Sequence, residues 1–410
     1  MKESEIQIIR QVIENESIEV HLQPIISIKK KTVVGLEALS RGIVNMKTVP
    51  PSELFSIASA SGYTVALDRL CRKKSLELYS YLKKRLSDDI ILFLNFDASI
   101  IDQGVVGSGV LLETAKSLGI NPSSIAIELN ETCVEDLESL KKFINTHRDY
   151  GFIIALDDIG AGHSNLNRVA ITRPDILKID RTLVKDLDRE IYKQEVFKSL
   201  INLARNIGSL VVAEGIEREE EAIAALDFGV DMLQGFYFSR PERISVLSLE
   251  NLKGNIETTA YGFKQHSLQK LKIKHRQNLE YNSIVGEFIN RLEDLDHNSF
   301  NSCLKEMIGK YKYIECIYII DEFGIQVSET ICNHWMISYR KRPAFRPAPP
   351  GTDHSLKDYY YLLAGSGIPK YVTDPYISMA SGNLCTTIST VFENALGNSY
   401  IFCLDINTSL

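Results

Sequence analysis

Between Val20 and Arg240, short β-branched apolar runs alternate with longer amphipathic stretches, the pattern of a β/α repeat around a parallel sheet. Eight runs read as strands: 20–28, 32–41, 90–96, 125–131, 152–158, 175–180, 210–217 and 232–238. Only Lys29-Lys30-Lys31 separates the first two, which is too short for a parallel crossover and predicts an antiparallel hairpin. Helices fill most of the other gaps. In 189–207, Val196, Leu200, Leu203, Ala204 and Ile207 recur at helical spacing and are expected to face the sheet. Asn121-Pro122 and Arg173-Pro174 stop the chain before strands, and Gly208 ends a helix. This order predicts an α/β fold, a (β/α)8 TIM-like barrel with an antiparallel first strand. An open doubly wound sheet is the alternative, but no G-x-G-x-x-G turn supports it.

After Pro241 the pattern changes. Residues 255–311 are polar and amphipathic, with Leu268, Leu271, Leu279, Ile284 and Ile289 at roughly helical intervals, and predict a connecting helix. The tail reads as a strand (314–320), an Asp-Glu-Phe-Gly turn, a strand (325–331), a Pro-rich loop (342–350), a short helix near 354–363 and strands near 370–378, 383–392 and 399–406. The expected division is a barrel at 1–250, a helical connection at 251–299 and a small α+β sensor-like domain at 300–410.

The longest apolar run, Ile90 to Phe96, is far short of the roughly 20 residues of a membrane span. The charged N-terminus lacks the apolar core of a secretory signal, so a cytoplasmic protein without a membrane span is expected. Seven cysteines, widely spaced and without a C-x-x-C pair, point to reduced thiols. The net charge of −7 resides entirely in residues 1–250, because 251–410 holds 16 basic and 16 acidic residues. An acidic barrel argues against a nucleic-acid duplex as partner and in favour of metal cations.

In a parallel barrel the strand C-termini share one face, and that face carries the site. It should receive Glu37, Asn95, Glu128 with Glu131, Asp157 with Asp158, Lys178 with Asp180, Glu214 with Glu217, and Gln234. A single acid after a strand is most often a helix cap. Seven polar strand ends together are harder to explain that way. Two carboxylates about 4 Å apart repel by roughly 4 kcal/mol at an effective dielectric near 20, so such a cluster either protonates or binds cations. Oxygen-only ligation selects Mg²⁺ or Mn²⁺ over zinc, and the adjacent Asp157-Asp158 pair suits a two-metal phosphodiester hydrolase. Lys178 would steady negative charge or orient a water.

These residues stand in EALSRG (37–42), LQPII (22–26), LNFD (94–97), IELNET (127–132), ALDDIGAGHSNL (155–166), LKID (177–180), AEGIE (213–217) and QGFYFSRP (234–241). Over about residues 15–245 the chain resembles the EAL-domain cyclic-di-GMP phosphodiesterases. The resemblance implies hydrolysis of cyclic-di-GMP to linear pGpG by a homodimer. It implies metal ligation by Glu37, Asn95, Glu128, Asp157 and Asp158, with Glu214 as ligand or base and Lys178 near the attacking water. Glu217 and Gln234 would support the metal shell and the substrate. Gln23, Arg41 and Pro241 would line the dinucleotide, and Glu131 would brace the loop after Asp158.

Three positions depart from the family pattern: Ile159 replaces Phe, His163-Ser164 replaces Tyr-Ser, and Asn130 replaces Thr. All fall in or near the loop that couples dimerisation to catalysis, and none is a metal ligand. The tail resembles, less specifically, a bacterial PAS-like or Cache-like domain, on the residues IYIIDEFGIQVSETI (317–331) and YVTDPYISMASGNLCTTIS (371–389), which implies a small ligand. A cluster of Arg340, Lys341, Arg342 and Arg346 reads chiefly as a solvated loop. Two other functions compete: a dinucleotide receptor that has lost its metal ligands, and a dimeric scaffold. The ligand set is complete here, which favours the enzyme.

Overall fold

The computed structural model describes residues 3–85, 90–105, 107–130, 134, 136–162, 166–243, 249, 251–333 and 345–407. Nine strands form the first sheet: β1 (Ile18–Ser27), β2 (Thr32–Val44), β3 (Lys47–Val49), β4 (Ile91–Phe96), β5 (Ile125–Asn130), β6 (Ile153–Ile159), β7 (Ile176–Ile179), β8 (Leu210–Ala213) and β9 (Met232–Leu233). Their order is β1-β9-β8-β7-β6-β5-β4-β2-β3, and β1 also pairs β2, so all but β3 close into an eight-strand barrel. β1 is antiparallel to both neighbours, as the lysine turn requires, and the pairs from β2–β4 round to β8–β9 are parallel. The short β3 was not expected; it extends the hairpin against the far end of β2.

Strand alternation builds the interior in layers. Ile25, Phe93, Ala126, Ala155, Ile176, Val212 and Met232 pack together as an apolar plug. Gly35 completes this layer because a Cβ there would lie 2.6 Å from the Phe93 ring. One inward step along each parallel strand stand Glu37, Asn95, Glu128, Asp157, Lys178, Glu214 and Gln234. On the reversed β1 the same step runs backward, from Ile25 to Gln23. Outward residues such as Leu92, Leu94, Ile127, Leu129, Ile154 and Leu156 join the helices in the main core.

One expected helix face is corrected. On the helix Ile191–Ile207, Phe197, Ile201 and Ala204 are buried, while Val196 and Ile207 are 49% and 46% exposed. The large Phe197 ring, not the β-branched Val196, sets the rotation, with Leu200 and Leu203 partly covered beside it.

The chain divides into two compact units, 1–269 and 270–410, the division falling within the 40-residue helix Lys253–Leu292. In the second unit, β10 (Ile314–Asp321), β11 (Ile331–Cys332), β12 (Lys370–Val372), β13 (Tyr376–Ile377), β14 (Leu384–Glu393) and β15 (Ser399–Asn407) form an antiparallel sheet in the order β11-β10-β15-β14-β12, with β13 on β14. Phe288, Phe300 and Leu304 pack on Ile317, Ile319, Phe402 and Leu404 of one face. The expected strand 325–331 is reduced to Ile331–Cys332, because Ile325 and Gln326 form isolated bridges to Asp353 and Ile320. The short helix lies at Asp358–Ser366, later than expected.

The expectation that all cysteines are reduced is also corrected. β10 and β11 set Cys316 directly opposite Cys332, and the two form a disulfide. Cys71, Cys303, Cys385 and Cys403 are free and buried, and Cys133 lies outside the described residues. Arg340, Lys341, Arg342 and His163 also lie outside them, and Arg346 is exposed. Lys29, Lys30 and Lys31 are exposed, as a solvated turn should be.

Candidate active site

The polar layer centres on Lys178, which is fully buried. Its Nζ touches Glu128 Oε1 and lies 2.7 Å from Glu214 Oε1, 3.4 Å from Asp157 Oδ1 and 3.5 Å from Glu37 Oε2. Burial alone would lower its pKa, but the four carboxylates hold it well above the usual lysine value, so it stays charged. One cation cannot balance four anions. Burial and the neighbouring acids push the Glu128 and Glu214 carboxyls well above their ordinary range and raise Asp157. Burial also raises Glu37, but Lys178 and hydrogen bonds from Gln234 and Asn95 outweigh it and leave Glu37 below its ordinary value.

Glu37 is held from both sides: Asn95 Nδ2 donates to Oε1 at 3.1 Å and Gln234 Nε2 to Oε2 at 2.6 Å. Gln234 also donates to Gln23 Oε1, and Gln23 Nε2 donates to the Ser239 carbonyl. Asp158 lies outside this ring, at φ 59°, a left-handed conformation rare for a residue with a side chain. The strain turns its carboxyl back toward the site, where Asn130 Nδ2 donates to it. Burial, then Asp157 and Asp180, push Asp158 up to about 6.

Oxygens of Asp157, Asp158 and Glu214 come within 4.8 Å of one another. Both oxygens of Glu128 and Asp157 Oδ1 are buried and accept no well-formed hydrogen bond. Glu128 Oε1 and Asp157 Oδ1 share the Lys178 ammonium with two other acids, and the clustered oxygens of Asp157, Asp158 and Glu214, all of them hard donors, fit a divalent cation such as Mg²⁺ or Mn²⁺. A second acidic group, Asp186, Asp188 and Glu221, is instead filled by Arg218, whose Nη2 reaches all three.

A cleft of about 310 Å³ opens above the ring, walled by Gln23, Glu37, Asp157, Asp158, Glu214, Glu217 and Gln234, with Leu39, Arg181 and Phe236. A larger one of about 760 Å³ adjoins it over Ser40, Phe55, Arg72, Asn95, Asp97 and Asn130. Arg41 and Pro241 line neither; Arg41 Nη1 donates to the Ser40 carbonyl. Asp180 turns away to cap the following short helix at Thr182 N, the role of an isolated acid after a strand. Glu131 lies outside the described residues. Arg181 was missed by sequence reasoning, although it directly follows the LKID strand end that supplies Lys178.

Comparison with known proteins agrees with this geometry. The EAL domain model matches residues 6–241, over half of the chain. The uncharacterized EAL-domain protein YkuI of Bacillus subtilis is 27% identical over 395 residues, covering 93% of this chain and 92% of its own length. Its crystal structure, solved with cyclic-di-GMP and calcium, superposes with a TM-score of 0.80 at 23% identity, over 98% of this chain and 99% of that one. The probable cyclic di-GMP phosphodiesterase PdeB of Escherichia coli is 30% identical over 234 residues, 57% of this chain and 44% of PdeB. With a complete ring of acids on an eight-strand barrel and a family match from residue 6 to 241, the chain belongs to the EAL-domain family.

Proposed function

We propose that the chain is a cyclic-di-GMP-specific phosphodiesterase that hydrolyses its substrate to linear pGpG in a Mg²⁺- or Mn²⁺-dependent reaction. The observation that carries this reading is the buried Lys178 ringed by Glu37, Glu128, Asp157 and Glu214, an excess of anionic oxygen at the mouth of a barrel. A dinucleotide with two phosphates gains nothing from bare carboxylates, so the ring makes sense only with cations between them. Such cations would polarise phosphoryl oxygens and lower the pKa of a bound water. Relatives named as cyclic di-GMP phosphodiesterases support the substrate. The BlrP1 protein of Klebsiella pneumoniae, solved with manganese and the dinucleotide, supports the ion.

In this reading Glu37, Asn95, Glu128, Asp157, Asp158 and Glu214 supply the metal oxygens of a two-metal site. Asn95 and Gln234 fix the Glu37 rotamer, and Lys178 orients the water and stabilises charge on the phosphoryl oxygens. Glu214, opposite Lys178, is ligand or base. The water oxygen bonds to phosphorus, the bond to the 3′ oxygen breaks, and that oxygen takes up a proton. Gln23 and Gln234 hold the dinucleotide from the cleft wall, Arg41 and Pro241 would join them only by turning in from outside it, and Glu217 and Glu131 would brace the metal shell and the following loop. The protein acts as a cytoplasmic homodimer, and residues 300–410 form a PAS-like or Cache-like sensor that binds a small ligand; a separate compact unit from residue 270 onward supports that role.

The test is to incubate purified protein with cyclic-di-GMP and Mg²⁺ or Mn²⁺ and separate the nucleotides. Accumulation of pGpG is expected. Tight binding without turnover would make the chain a receptor instead.

A further inference from the structure

Among the described residues that line the acidic cleft, Arg181 is the only cation. Lys178 lies beneath the floor and is already surrounded by four carboxylates. The Arg181 side chain is half exposed, and Nη2 meets Glu217 Oε1 at 2.8 Å; among the described residues no other ion pair engages it. Its stem lies against Gly215 at φ 67°, where a Cβ would come within 2.4 Å of Arg181 Cγ. The bare backbone between Glu214 and Glu217 therefore lets the stem lie flat and leaves the guanidinium at the cleft wall. Glu217 takes part of a five-donor fork, and the rest remains for an anion.

We infer that Arg181 grips the phosphate of the bound dinucleotide that is not being cleaved. This rests on the proposed phosphodiesterase reading. The scissile phosphate must descend to the acidic ring over Lys178. In a cyclic dinucleotide the opposite phosphate then stays outward, in a cleft whose other charged walls repel it. Arg181 is the group there that attracts it. Glu217 keeps the guanidinium in place, and its own charge costs little because the pair is half solvated.

The contact is made equally in ground and transition states, so its loss should raise KM and leave kcat alone. The experiment measures cyclic-di-GMP binding in Ca²⁺ by calorimetry for wild type, Arg181→Met and Arg181→Lys. It then compares turnover in Mn²⁺ of cyclic-di-GMP and of bis(4-nitrophenyl) phosphate, which has no second phosphate. Arg181→Met should weaken binding and raise KM about tenfold, the scale of one charged hydrogen-bonded contact, with Arg181→Lys between. Its kinetics on the monophosphate diester should match wild type. Unchanged affinity for the dinucleotide, or equal losses on both substrates, would overturn the assignment and leave Arg181 as a brace for Glu217. Failure of the wild type itself to bind or cleave cyclic-di-GMP would instead overturn the phosphodiesterase reading.

Discussion

Lys178 Nζ lies 2.7 Å from Glu214 Oε1, an ion pair spanning β7 and the end of β8 at the bottom of the acidic cleft. Three further carboxylates share that ammonium, so no acid is fully neutralised and the ring is poised to exchange protons for metal ions.

Metal removal should abolish turnover. In excess EDTA the rate of pGpG formation is expected to fall more than about 100-fold, with recovery on adding Mg²⁺ or Mn²⁺. Ca²⁺ should compete and inhibit, since its larger radius and looser coordination misplace the water. Undiminished turnover in chelator would remove metals from the mechanism.

Lys178→Met should lower kcat by about 10²–10⁴-fold, because the ammonium acts on charge that develops in the transition state. Without metal it should also destabilise the fold by about 3–5 kcal/mol, the cost of leaving buried anions unpaired. Adding Mn²⁺ should restore much of the lost Tm. Arg41→Ala, by contrast, should act mainly on KM. A Lys178→Met protein with wild-type turnover would show that the ring has another role.

The second unit should lose stability as pH rises. Asp405 on β15 is buried, accepts a hydrogen bond from Thr387 Oγ1 at 2.7 Å, and is pushed up to about 7, first by burial. Its folded pKa exceeds the unfolded value, so the native state binds the extra proton between about pH 4 and 7 and stability falls across that window. The slope integrates to an upper bound of about 4 kcal/mol. Chemical denaturation at pH 5 and 7.5, with Asp405→Asn alongside, checks this. The variant should flatten the dependence and be the more stable protein at pH 7.5.

A chain ending at Gln269 should keep the barrel intact, because Leu252 and, on the long helix, Ile256 close the main core and are retained. It is expected to bind metal and cyclic-di-GMP but to differ from the full chain in self-association and rate. Sedimentation and nucleotide turnover on both forms measure this. Identical values would leave the second unit without a regulatory role.

The barrel and its site were legible because the parallel strands share one local rule. An apolar inward residue is followed two positions later by a polar one, as in Phe93 and Asn95, Ala126 and Glu128, or Ile176 and Lys178. That period of two reflects pleat geometry and is independent of the rest of the fold. Asp180 illustrates the limit: it ends its strand as Asp157 nearly does, yet it caps a helix, because a cap also needs only one carboxylate after a strand.

The sequence by itself determined the barrel class, the reversed first strand, the acidic ring and its demand for cations, since these follow from periodicity, turn length and charge count along neighbouring residues. Only the tertiary structure decided that Phe197 turns its helix inward, that Cys316 faces Cys332, and that Arg181 reaches the cleft past Gly215. Each of these depends on which backbone passes within a few ångströms of a side chain. Residues far apart in the chain settle that jointly, and no local pattern records it.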